Sequence, residues 1–118
     1  MLSSEIKIYV KYTVPQLIED KERNIVFCNE EFTKLFDIKQ SSQDLIGTNC
    51  IDMLISLSNT IPDVERLSAF VATSLSDRLS GKIHDIKINP RTIISIYYKS
   101  VTLKDGALIH IWEYVPIH

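Results

Sequence analysis

Residues 17–36 read LIEDKERNIVFCNEEFTKLF, and the pattern changes three times within them. The apolar run Val14 to Ile18, interrupted by Gln16, gives way to the charged hexamer Glu19 to Asn24, which has no apolar periodicity and reads as a turn. Ile25-Val26-Phe27-Cys28 then forms a short run of β-favouring residues, so the two runs pair as a β-hairpin. Asn29 follows at once, with Glu30 and Glu31 after it and Phe32, Leu35 and Phe36 spaced by three and four. That is an N-cap, an acidic first turn and a helical apolar stripe, and the spacing predicts a helix beginning at Asn29.

Downstream, Ser41 to Asp44 is a polar linker, and Leu45-Ile46-Gly47 and Cys50 to Leu54 predict short helical turns. Pro62 opens a longer helix, with Asp63 and Glu65 in its first turn, Val64, Leu67, Phe70 or Val71, Leu75 and Leu79 along one side, and Gly81 as its stop. From Lys82 the period becomes two. Lys82–Ile88, Arg91–Leu103 and Ala107–Val115 read as strands, the last two joined through Lys104-Asp105-Gly106. Two strands, a helical middle and three closing strands make an α+β domain: a five-stranded antiparallel sheet with helices packed on one face.

The closing strands are apolar on both faces. Ile93, Tyr97 and Val101 alternate with Ile94, Ile96 and Tyr98, and Ile109 and Ile111 alternate with Leu108, Trp112 and Tyr114. A sheet with one wet face alternates more cleanly, so the outer face must be covered by the segment Leu2 to Tyr12 or by a second copy of the chain. Leu2, Ile6, Tyr9, Val10 and Thr13 fit a helix, whereas Ile6, Ile8, Val10 and Tyr12 fit a strand. Both readings of this segment stay open.

At 118 residues the chain has the length of one domain. Thirteen Lys plus Arg against fifteen Asp plus Glu give a net charge of −2, with no basic cluster, which argues against nucleic acid as a partner. Cys28 and Cys50 make neither a CxxC pair nor a disulfide framework, and His84, His110 and His118 lack metal-ligand spacing. Gly47, Gly81 and Gly106 are too scattered for a phosphate loop, and no nucleophile elbow, hydrolytic triad or receiver-type acidic pair is present. No apolar run approaches the about 20 residues of a membrane span, and a soluble, cytoplasmic segment without membrane contact is expected.

Over residues 13–115 the chain resembles the PAS family of sensory domains. The opening hairpin, Leu17 to Asp20 and Arg23 to Asn29, is similar to that family's acidic turn followed by an I-V-x-x-N stretch. Glu31-Phe32-x-x-Leu35-Phe36 resembles its next helix, and Asp44-Leu45-Ile46-Gly47 its E-L-I-G segment. Lys104-Asp105-Gly106 with Ile109 to Val115 is similar to its last hairpin, although Tyr114-Val115-Pro116 replaces the usual Asp-Ile-Thr. The resemblance implies a domain over residues 14–116, a flanking segment over 1–13, and a cavity between sheet and helices.

Expected cavity residues are Ile18, Val26, Phe32, Phe36, Leu54 and Phe70, with Ile93 and Ile109 from the closing strands. Asn29, Ser95 and Tyr97 are the polar handles near them, so the cavity suits a small apolar ligand or is filled by its own side chains. Ile6, Val10, Tyr98, Trp112 and Tyr114 are assigned to a self-association interface, because Tyr and Trp suit surfaces that are alternately wet and covered. Gly47-Thr48-Asn49-Cys50 resembles the start of the flavin-photoreceptor signature, but Ile51 stands where that signature has its phosphate-binding Arg, and Asp52 repels a phosphate. Asn89 is the one remnant of the flavin-holding set in the later strands. Haem would need His84 or His110 facing the cavity, and the strand parity assigns His110 to the outer face. Flavin and haem are therefore disfavoured.

The resemblance implies a non-catalytic sensory or signal-transduction module of a larger regulator, such as a histidine kinase of a two-component system, a cyclase or a transcription regulator. It would sense a small ligand, dimerise, or both, and act on a linked output domain. The alternatives are a constitutive dimerisation scaffold without ligand, or a flavin or haem light or redox sensor.

Overall fold

Asn29 fixes the turn from strand to helix. Its Oδ1 accepts from the N–H of Phe32 (2.9 Å), capping the helix that follows, and from the N–H of Gln16 (3.1 Å) on the first strand. Its Nδ2 donates to the carbonyls of Lys11 (2.9 Å) and Val14 (2.7 Å). One buried amide thus ties the N-terminal segment, the first strand and the first helix of the middle layer together.

The computed structural model describes residues 2–77 and 80–117. The elements run α1 (Ser4–Lys7), β1 (Gln16–Asp20), β2 (Ile25–Cys28), α2 (Glu30–Leu35), α3 (Ser42–Leu45), α4 (Cys50–Leu57), α5 (Val64–Asp77), β3 (Ser80–Asn89), β4 (Thr92–Thr102) and β5 (Leu108–Ile117). The strands form one antiparallel sheet in the order β2-β1-β5-β4-β3, so first and last strands are central neighbours. This is the α+β architecture expected, with helices α2 to α5 on one face.

Helix α5 starts two residues later than Pro62 because Asp63 is held to the sheet. Its N–H donates to the Lys87 carbonyl (3.1 Å), and its carboxylate accepts from the Lys87 N–H (2.8 Å). Arg66 donates to the carbonyls of Asp85 (2.8 Å) and His84 (3.1 Å), where β3 bulges between Ile83 and Ile86 and Asp85 takes φ 62°. Gly81, expected to stop the helix, lies inside β3 and faces the ring of Phe70. Leu79, assigned to the apolar side of this helix, lies outside the described residues.

Two apolar clusters flank the sheet. The inner one joins Leu17, Ile25, Phe32, Cys50, Ile61, Leu67, Ile86, Ile94, Ile96, Tyr98 and Trp112 under the helices. The outer one joins Ile18, Phe27, Leu103, Ile109 and Ile111, and Leu2, Ile6, Tyr9, Val10 and Val26 pack against it. The N-terminal segment therefore takes the helical reading. Positions 2, 6, 9 and 10 share one side, while Ile8 (73%) and Tyr12 (72%) stay exposed. Gln16 anchors the segment, accepting from the Lys11 N–H and donating to the Tyr9 carbonyl, each over 2.8 Å.

This arrangement inverts the strand parity expected from the sequence. Ile18, Val26 and Ile109 belong to the outer cluster, and Ile93 and Tyr97 are exposed at 42% and 40%. Ser95 shares their parity, and its hydroxyl lies 2.8 Å from Nδ1 of His84. Tyr98, Trp112 and Tyr114, assigned to an interface, point under the helices instead. His110 follows them inward, buried with its Nδ1 2.7 Å from the Tyr98 hydroxyl. Alternation with period two separates two faces but does not say which one faces the helices when both are apolar. The N-terminal segment decides it by covering the Ile109 and Ile111 side.

Candidate functional site

Between the β1–β5 seam and helices α4 and α5 lies a cavity of about 60 Å³. Leu17, Phe32, Phe36, Met53, Leu54, Leu57, Ile61, Leu67 and Val71 give it apolar walls, and Trp112 and Tyr114 close it from β5. Its polar groups are Glu19, Arg23 and Cys50. Of the residues expected around a cavity, Phe32, Phe36 and Leu54 line this one. Phe70 packs edge-on against Trp112 in the same core, and Asn29 is engaged in the backbone knot described above.

Glu19 is the centre of the polar cluster and is fully buried. A carboxylate in such a place persists only with donors around it. Arg23 Nε lies 3.2 Å and 3.1 Å from its two oxygens, Trp112 Nε1 donates to Oε1 (2.9 Å), and the Cys50 thiol lies near enough to feel its charge. Arg23 reaches back into the fold because it sits in the β1–β2 turn at φ 71°. The backbone holds it there: its carbonyl accepts from the N–H of Cys50 (2.7 Å), the first residue of α4.

In the sequence Glu19 to Asn24 reads as one charged turn, and that pattern hides the cluster. The usable signal was the register of the hairpin: a strand running through Asp20 puts Glu19 on the same face as Leu17. Cys50 follows the same logic. Burial first, and then the charge of Glu19, push its thiol well above the ordinary range, so it is a protonated group and not a nucleophile. Burial likewise pushes Cys28 up to about 11 and raises the Tyr114 phenol well above its usual value.

Gly47-Thr48-Asn49-Cys50 acts as a joint between α4 and the hairpin. Gly47 at φ 90° turns the chain, its N–H donates to the Ile25 carbonyl (2.8 Å), and the Thr48 carbonyl accepts from the Ile25 N–H (2.9 Å). The Asn49 side chain accepts from the N–H of Ile51 to cap α4 and donates to the Glu22 carbonyl. Neither a flavin nor a haem fits the cavity at its present volume, which lies below the roughly 150 Å³ that accommodates benzene. Among the described residues, no group of three or more His, Cys, Asp or Glu side chains is placed to hold a metal ion. No helix among them is long and apolar enough to cross a membrane.

No family model and no curated protein matches the chain in sequence. Solved structures do match it in shape. The PAS domain of Bordetella pertussis BvgS superposes with a TM-score of 0.68 at 14% identity, covering 97% of this chain and 85% of its own. The fold is the PAS fold. A sensory box sensor histidine kinase from Vibrio cholerae gives a TM-score of 0.66 at 14% identity, covering 98% of this chain and 89% of that one. The Vibrio cholerae VqmA dimer, solved without its target DNA, gives 0.64 at 15% identity; all of this chain is covered and 52% of VqmA. VqmA bound to DPO gives 0.65 at 16% identity, with 96% and 56% covered. Structures from histidine kinases and a LuxR-type regulator thus share this fold.

Proposed function

We propose that the chain is a non-catalytic sensory module of a larger regulator, and that it responds to a small ligand entering the cavity between Glu19, Arg23 and the helices. Residues 14–116 are the PAS unit and residues 1–13 its flanking segment, with an output domain of the histidine kinase, cyclase or transcription-regulator kind attached or bound. The observation that carries this reading is the cavity itself, apolar walls around a few converging polar groups, which is the usual composition of a small-molecule site. The likeness to VqmA, which has been seen bound to DPO, supports a small-molecule ligand. The module is cytoplasmic, a homodimer, and without nucleic-acid contacts of its own.

Occupancy would act through the residues that line the cavity. Trp112 stands on β5, the strand that leads out of the domain, and Arg23 holds the start of α4. A ligand that changes their packing biases two arrangements of sheet and helices by its differential contacts with them. Native mass spectrometry of freshly purified protein, with analysis of a denatured extract and a visible spectrum, tests the reading. A retained organic molecule of low mass supports it. Visible flavin or haem bands would replace it with a light or redox sensor.

A constitutive dimerisation scaffold is the second reading, favoured by the part of the outer face that the N-terminal segment leaves open. Ile93, Tyr97, Val115 and Ile117 are each between 38% and 44% exposed there, and Ile93 and Ile117 are register partners. A dimer without any retained or added ligand, lost on Tyr97→Glu, would support it.

A further inference from the structure

Arg23 is a hydrogen-bonding group of the cavity that its protein partners do not use up. Arg23 pairs with Glu19 through Nε alone, and among the described residues neither of its terminal nitrogens hydrogen-bonds to another residue. Its side chain is only 19% exposed and lines the cavity. A guanidinium presents five N–H donors in a rigid fork, so four of them are without a partner among the described residues.

Charge decides what that is. Glu19 already neutralises Arg23, and it is fully buried. A carboxylate or phosphate ligand would put a second anion beside the same guanidinium and leave the site with net negative charge among apolar side chains, which is strongly unfavourable. A neutral acceptor, such as a carbonyl oxygen or a ring nitrogen, takes the free N–H groups without that penalty. The walls, Phe32, Met53, Leu54, Leu67 and Val71 among them, accept only an apolar body, and the volume admits few heavy atoms. We infer that Arg23 is the ligand-anchoring residue of this pocket and that its ligand class is a small, uncharged, largely apolar molecule carrying one hydrogen-bond acceptor. The inference rests on the small-ligand reading above and sharpens it.

Three small probes of one planar trigonal shape separate the cases: acetone, isobutene and acetate. Trp112 is the single tryptophan, and its indole N–H, bonded to Glu19, is a unique reporter in a proton–nitrogen correlation spectrum. Acetone is expected to shift that signal saturably and to bind about tenfold or more tighter than either other probe, the effect of one hydrogen bond to a charged group. In Arg23→Lys, which keeps the pairing charge at the same backbone position, that preference is expected to vanish while the affinity for isobutene stays unchanged. If acetone and isobutene bind the wild-type protein equally, the anchor is overturned and the pocket reading stands. If the carboxylate binds best, the neutral-ligand assignment is overturned. If none of the three shifts the indole signal, both the anchor and the pocket reading fall. The three-probe comparison on the wild-type chain decides the matter even if Arg23→Lys does not fold.

Discussion

The indole N–H of Trp112 donates to Oε1 of Glu19 over 2.9 Å, and both side chains are buried. The two residues lie 93 positions apart, on the first and last strands, at the seam where β1 and β5 pair in the middle of the sheet. Closing the sheet brings the acceptor to the donor, and Arg23 completes the cluster from the turn. The contact therefore belongs to the core and to the cavity at once, so changing it affects both stability and occupancy.

Glu19→Ala removes the acceptor shared by Arg23 and Trp112 and leaves both donors in an apolar site. A loss of about 3 kcal/mol is expected, in the range for breaking a buried charge pair. Glu19→Gln keeps one acceptor oxygen but not the charge, so it falls between Ala and wild type. Urea unfolding monitored by Trp112 fluorescence gives the order. An alanine variant within about 0.5 kcal/mol of wild type would show that the cluster contributes little.

Asn29→Asp separates two jobs that Asn29→Ala removes together. The aspartate still caps α2 through an oxygen, but it cannot donate to the carbonyls of Lys11 and Val14. Hydrogen exchange is expected to speed up at residues 6–16 in Asn29→Asp while α2 stays protected. Asn29→Ala should lose both, at about 2 kcal/mol or more for a cap plus the buried bonds. Faster exchange confined to α2 in the aspartate variant would refute the tethering role.

Cys28 gives a pH signature with a definite sign. Burial, reinforced by the charge of Glu30, holds its thiol at about 11 in the folded chain, against 9.0 for an ordinary cysteine. A raised acid means that the unfolded chain loses its proton first. This contribution is therefore complete below pH 9 and disappears as the pH climbs from 9 towards 11. Wild-type stability should fall across that interval, and Cys28→Ala should fall less steeply. Parallel slopes for the two proteins in urea titrations at pH 8 and 10.5 would contradict the assignment.

Local patterns made the elements legible in the sequence, because caps and turns act over a few residues. Asn29 before Phe32, Leu35 and Phe36 announces α2, and Lys104-Asp105-Gly106 announces the β4–β5 turn. What stayed hidden was non-local. Alternation at Ile109 and Ile111 against Trp112 and Tyr114 is symmetric, so only the packing of Leu2, Ile6, Tyr9 and Val10 tells the outside from the inside. That one ambiguity moved Ile18, Ile93, Tyr97 and Ile109 to the wrong face together with Trp112 and Tyr114. Glu19 was hidden for a different reason. A carboxylate in a run of charges looks solvated until its partners arrive from the far end of the chain and from a turn residue at positive φ.

The N-terminal segment offers the sharpest test of which face it covers. Ile6 packs on the outer cluster, whereas Ile8, two residues on, is 73% exposed. A strand would put both on one side; the observed helical turn puts them on different sides. Ile6→Asp brings a carboxylate against the cluster that holds Ile109 and Ile111, and is expected to cost about 2 kcal/mol or more through lost burial and desolvation. The freed segment should become sensitive to brief proteolysis at Lys7 or Lys11, and the bared sheet should bind a hydrophobic dye or associate with a second copy. Ile8→Asp, made at a solvent-facing site, should stay within about 0.5 kcal/mol of wild type. Equal losses at the two positions would mean that the segment lies on the sheet as a strand, and the outer cluster would then need another cover.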